Sequence, residues 1–139
     1  MRTFSIAAAV LVAALVVSRA ARGDVQVAPK GSSCKPEQKD PQRHEQFMKD
    51  KEAALKNGPV QLVFIGDSIT DAWRGGEQNK LYKERWGKYN PLNLGISGDK
   101  TQHVLWRIDN GELDGIQPKV VVLMIGTNNI GNSAEDIAK

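Results

Sequence analysis

A chain of 139 residues accommodates one modest domain, and its make-up, 40% hydrophobic and 25% charged, is that of an ordinary globular protein. The formal charge of +3 comes from 19 basic and 16 acidic residues, and Arg2, Arg19 and Arg22 are the only charges before Gly23, so without that leader the two counts are equal. The basic balance is therefore no footprint for nucleic acid or anionic lipid. The only cysteine, Cys34, excludes an internal disulfide.

The chain opens with Met1-Arg2-Thr3, an apolar run from Phe4 to Val17, and the small residues of Ser18-Arg19-Ala20-Ala21. This is the layout of a secretory signal peptide over 1–22, too short to span a bilayer, for which about 20 apolar residues are needed. The expectation is a secreted or periplasmic protein with no stable membrane anchor. Asp24 to Pro41, rich in Lys, Ser, Gly, Pro and Gln, reads as a solvated linker or poorly ordered arm. His44 to Asn57 reads as an amphipathic helix carrying Phe47, Met48, Ala54 and Leu55, closed by Asn57-Gly58 and stopped by Pro59. The domain layout is then a leader (1–22), a linker with one helix (23–57) and an α/β unit (58–139).

Three β-rich runs follow: Val60 to Ile65 before Gly66, Pro91 to Ile96, and Val120 to Ile125 before Gly126. Two of the three lack alternation, the pattern of strands covered on both faces in a parallel sheet. The connectors have helical spacing, with Val104, Leu105, Ile108 and Leu113 as the apolar positions of the second, and are long enough for right-handed crossovers. The reading is β-α-β-α-β, the start of a doubly wound α/β domain that breaks off after about three strands. A capped helix is expected to open at Ser133-Ala134-Glu135-Asp136, so near Lys139 that a longer parent protein is the simplest account. The third strand would be a sticky edge if it lay at the periphery.

In open parallel sheets, ligands bind outside the carboxyl ends of the strands. There the three runs lead into Gly66-Asp67-Ser68, Ser97-Gly98-Asp99 and Gly126-Thr127-Asn128-Asn129. A serine hydroxyl at a helix start, a glycine amide that can approach a substrate, and an uncharged carboxamide donor together suit a nucleophile with an oxyanion hole. Alone, Gly66-Asp67-Ser68 reads equally well as a tight turn with a helix cap, and Gly98 or Asn128 alone reads more simply as a turn residue. A phosphate-binding loop at Gly95 to Thr101 is disfavoured, because Asp99 precedes Lys100-Thr101 and Leu94 stands where the first glycine belongs.

These ordered blocks resemble the GDSL/SGNH hydrolases. The stretch Asn93 to Asp99, with His103 to Arg107 and Asn110 to Leu113, is similar to the catalytic subunits of type I platelet-activating-factor acetylhydrolases. The resemblance covers about Val60 to Asn132 and implies a flavodoxin-like three-layer α/β/α SGNH hydrolase fold around a parallel sheet. It implies a serine esterase, which with the leader would be a secreted one, acting on small acyl esters, often acetyl, carried on a carbohydrate, lipid or other small molecule, with no metal or organic cofactor. By that resemblance Ser68 is the nucleophile; its own amide, the Gly98 amide and the Asn128 side chain form the oxyanion hole; and Asp67 supports the nucleophile turn. The family's general base is a histidine in a late Asp-x-x-His block. This chain contains only His44, expected on an exposed helix, and His103, expected to have a helix-face role, so the polypeptide by itself is expected to be inactive. The alternative is a non-catalytic module that holds an ester or glycan on the same scaffold. Trp73, Trp86 and Trp106 read as packing residues, with Trp73 the one able to border a substrate pocket.

Overall fold

The structure, a computed structural model, describes residues 32–131. The apolar leader, the start of the expected linker and the helix expected from Ser133 lie outside the described residues. A 3-10 turn at Ser32–Cys34 leads by an extended segment into α1 (Pro41–Lys56). Then come β1 (Leu62–Gly66), α2 (Ser68–Asp71), a 3-10 turn at Ala72–Arg74, α3 (Gly76–Trp86), a 3-10 turn at Gly87–Tyr89 and β2 (Leu92–Gly95). α4 (Thr101–Asp109), β3 (Val120–Met124) and a 3-10 turn at Thr127–Asn129 complete the order.

The three strands pair in parallel in the order β2-β1-β3, with Gly66 level with Gly95 on one side and with Met124 on the other. The expected doubly wound α/β arrangement is therefore present, with each strand within two residues of its predicted bounds. Alternation along β1 sends its side chains to two faces. Val63 and Ile65 join Phe47 of α1, Leu94, Ile96 and Val104 in the main core. Phe64 lies on the other face against Tyr82 and Trp86 of α3, at ring separations of 5.4 and 5.0 Å. Helices thus cover the sheet on both sides, the three-layer plan.

α1 begins earlier than its apolar residues indicate. Pro41, with no N–H to lose, stands at the first helical turn, and the Asp40 carboxylate accepts the Arg43 amide at 2.9 Å. Phe47 is 1% exposed and has the guanidinium groups of Arg43, Arg74 and Arg107 over its ring at 5.2, 4.7 and 5.6 Å. The described part of the expected solvated arm is likewise attached: Ser33 is buried, its carbonyl accepts the Thr101 hydroxyl at 2.8 Å, and the Glu37 amide donates to the Gln102 carbonyl at 3.1 Å. These bonds join the arm to α4 at both ends, while Lys35 to Lys39 stay exposed to solvent.

Two readings of the apolar pattern are corrected. β3 lies at the sheet edge with Val120 and Leu123 about half exposed, unlike the covered β1 and β2. α4 buries Val104, but Leu105 and Ile108 are exposed while Gln102, His103 and Arg107 are buried. Specific polar partners, described below, select that face over the apolar one. Replacement of Phe47 by alanine is expected to cost about 3–5 kcal/mol in denaturant unfolding, the range for a buried aromatic; a change near zero would show α1 to be detached from the core.

Candidate active site

The aligned strand ends at Gly66, Gly95 and Met124 put the three following loops side by side, since neighbouring strands lie about 4.8 Å apart. Gly66 is required there by space. A Cβ at this position would lie 2.5 Å from the Met124 carbonyl oxygen and would collide with the Thr70 side chain. Asp67 is 1% exposed, and its carboxylate accepts the Ile69 amide at 3.0 Å as the cap of α2. Ser68, the first residue of α2, is exposed to solvent beyond the end of β1. α2 has only four residues before the 3-10 turn, so its contribution is local N–H groups and not the summed dipole of a long helix. Asn93, buried within β2, locks α2 in place by donating to the Thr70 carbonyl at 2.7 Å.

The second loop is a tight turn. The Asp99 amide donates to the Ile96 carbonyl at 3.1 Å, and Gly98 adopts φ +75°, a conformation costly for residues with a Cβ. Gly98 is exposed, Asp99 is 1% exposed, and the Ser97 hydroxyl donates to Asp71 of α2 at 3.2 Å. The third loop reaches across to the second. Asn128 Nδ2 donates to the Asp99 carbonyl at 2.8 Å. Asn129, 3% exposed, accepts the Thr101 amide at 3.0 Å and donates to the Thr101 hydroxyl and Gln102 at 3.1 and 3.2 Å. Because β2 and β3 flank β1, this junction closes over the strand from which Ser68 emerges.

The Asp99 side chain is the centre of a buried charge cluster. Arg107 Nη2 donates to it at 2.9 Å, and Arg107 Nη1 donates to both oxygens of Glu112 at 2.5 and 2.6 Å, with all three residues at most 3% exposed. Burial pushes the Glu112 carboxyl up from its ordinary value, against the pull of Arg107. Lys39, from the segment before α1, donates to the Ser97 carbonyl at 2.6 Å and lies 3.4 Å from Asp99. None of these partners was legible from the sequence, although Asp99, Arg107 and Glu112 are all visible as charges in a buried β-α region.

Neither histidine is disposed as a base for Ser68. His103 Nδ1 accepts the Lys100 amide at 3.0 Å at the start of α4, which fixes a neutral ring with the proton on Nε2. Its 3.6 Å approach to Asp99 is therefore not an ion pair in this state. Burial lowers its pKa from 6.5, opposed by the Asp99 and Glu37 carboxylates. His44 is half-buried, not exposed as expected, and packs edge-on against Trp106 at 5.1 Å. Trp73 meets Trp86 at 5.3 Å and borders a cavity of about 350 Å³ beside Pro91 and Leu92, at the opening of β2 and not at its carboxyl end.

Residues 64–138 match the GDSL-like Lipase/Acylhydrolase family. The chain belongs to that family. It is 44% identical over 94 residues to platelet-activating factor acetylhydrolase IB subunit alpha1 of Bos taurus, which covers 68% of this chain and 38% of the relative. The alpha2 subunit of Rattus norvegicus is 41% identical over 96 residues, covering 69% and 39%. The chain thus spans well under half the length of these relatives. The resemblance read from the three blocks therefore holds at the level of the family. The expectation of a secreted or periplasmic location is corrected by these relatives, which are platelet-activating factor acetylhydrolase IB subunits. Among the described residues no helix is long and apolar enough to cross a membrane.

The His103 arrangement predicts an acid-side loss of stability. A histidine whose folded pKa lies below 6.5 takes up its proton more readily when unfolded, so its contribution is complete above about pH 6.5 and erodes as pH falls toward the folded value. His44 is lowered in the same direction, chiefly by burial, and the raised Glu112 acts in the opposite sense, so the comparison of variant with parent carries the test. His103→Gln should flatten the fall in unfolding free energy between pH 6.5 and pH 5; an identical slope would contradict a ring held neutral by burial.

Proposed function

We propose that the protein carrying this chain is a serine esterase that removes small acyl groups, acetyl foremost, with Ser68 as nucleophile. Ser68 Oγ attacks the ester carbonyl, and the alkoxide oxygen that forms is received by the Ser68 amide, the Gly98 amide and Asn128 Nδ2. The alcohol leaves, and water then releases the acid from the acylated serine. The observation that carries this reading is the Asn128-to-Asp99 hydrogen bond, which ties the loop of the third block to that of the second above the strand bearing Ser68. One amide hydrogen of Asn128 is committed there, and the second is left for a substrate oxygen.

Acetyl preference is supported by the relatives, which are named acetylhydrolases. The small leaving side of the substrate, whether lipid, sugar or simple alcohol, is left to residues beyond these blocks. The general base comes from outside these 139 residues. His103 is occupied as a cap and His44 is packed on Trp106, and a serine without its base is a weak nucleophile.

Three outcomes test this. In the full-length protein, Ser68→Ala should abolish hydrolysis of p-nitrophenyl acetate, and unchanged turnover would discard the assignment. Asn128→Ala should lower kcat by about 10²–10³-fold, the value of one oxyanion donor. The 139-residue chain alone should show no Ser68-dependent turnover, and measurable turnover would place the base among the residues described above. Binding of an ester with no cleavage by the full-length protein would favour a holding module instead.

A further inference from the structure

Lys39 lies in the segment before α1, far in sequence from the three blocks, yet its ammonium is seated on the turn that contains Gly98. Lys39 Nζ donates to the Ser97 carbonyl oxygen at 2.6 Å, and a Cβ placed on Gly98 would lie 3.2 Å from that nitrogen. The Ser97 carbonyl and the Gly98 N–H belong to one peptide unit, which is planar and trans, so the two bonds point in opposite directions. A cation fixed on the carbonyl side therefore aims the N–H at the other side, where the substrate oxygen is received. It also polarises the peptide, since a carbonyl that accepts a charged donor leaves its own N–H a stronger donor.

The cation is itself held. Lys39 Nζ lies 3.4 Å from the Asp99 carboxylate, which Arg107 anchors from behind at 2.9 Å. The Lys39 side chain is one-third exposed whereas Asp99 is 1% exposed, so the rigid end of the relay is the buried one. We propose that Lys39 is a positioning residue for the oxyanion hole, acting through the Ser97–Gly98 peptide, with Asp99 as its anchor. This rests on the assignment of the Gly98 amide as an oxyanion donor.

The test uses the full-length protein and compares Lys39→Met and Lys39→Arg with the parent, scoring only turnover that Ser68→Ala removes. Three quantities are read: kcat for p-nitrophenyl acetate, the rate of Ser68 labelling by a fluorophosphonate, and the inhibition constant of an unreactive planar amide analogue. For Lys39→Met, kcat and the labelling rate should each fall by about tenfold, while the inhibition constant stays within about threefold. Lys39→Arg should recover both rates to within about threefold of the parent, because it keeps a cationic donor. Rates unchanged in Lys39→Met, or a loss of equal size in rates and in amide affinity, would overturn the proposal. Should Lys39→Met fail to fold, Asp99→Asn releases the same anchor and is judged by the same split between rates and affinity. Turnover that survives Ser68→Ala would remove the underlying esterase reading, an outcome visible before any Lys39 variant is compared.

Discussion

A carboxylate buried as fully as that of Asp99 has to be surrounded by donors, and much of the local architecture consists of their delivery. Arg107 comes from α4, Lys39 from the segment before α1, and Asn128 from the loop after β3 reaches the same residue through its carbonyl. Three separate parts of the chain thus meet at this one turn. Removal of one partner from a buried ion pair of this kind costs about 3–5 kcal/mol, whereas a well-packed apolar replacement of the pair is often neutral. Stability alone therefore gives little reason for charges here. The fixed direction proposed for the Gly98 peptide gives one.

The turn from Gly66 to Thr70, where we propose the nucleophile, shows the same economy of parts. Gly66 admits Thr70 and the β3 backbone against the end of β1, Asp67 caps α2, and Asn93 ties α2 to β2. Ser68 is left exposed on a turn whose neighbours are all fastened, so its hydroxyl can meet a substrate while its backbone stays in register with the two adjacent loops. A loop held this way presents donors with little reorganisation, which is the condition under which such donors are most effective.

Local signals made the strands readable. Val60 to Ile65 and Val120 to Ile125 are β-branched runs ended by glycine, and the three blocks follow them at the carboxyl ends where parallel sheets bind ligands. Interactions between distant residues were not readable. The polar composition from Lys35 to Lys39 signals solvent, yet Glu37 and Lys39 find partners about 60 residues away. In α4 the apolar period pointed to Leu105 and Ile108, but Asn129 and Asp99 draw Gln102 and Arg107 inward, and hydrophobic periodicity carries no information about such partners. Coverage of β3 was inferred from its unbroken apolar run, which records what a strand can bury and not which neighbours it has. The leader pattern led to a location that the relatives contradict.

Ser68, Gly98 and Asn128 are proposed to converge on one developing oxygen. The most direct measurement is a crystal structure of the full-length protein with a fluorophosphonate bonded to Ser68 Oγ. The phosphoryl oxygen should lie about 3 Å from the amide nitrogens of Ser68 and Gly98 and from Asn128 Nδ2. An adduct whose phosphoryl oxygen faces solvent, with Gly98 and Asn128 out of hydrogen-bond reach, would contradict it.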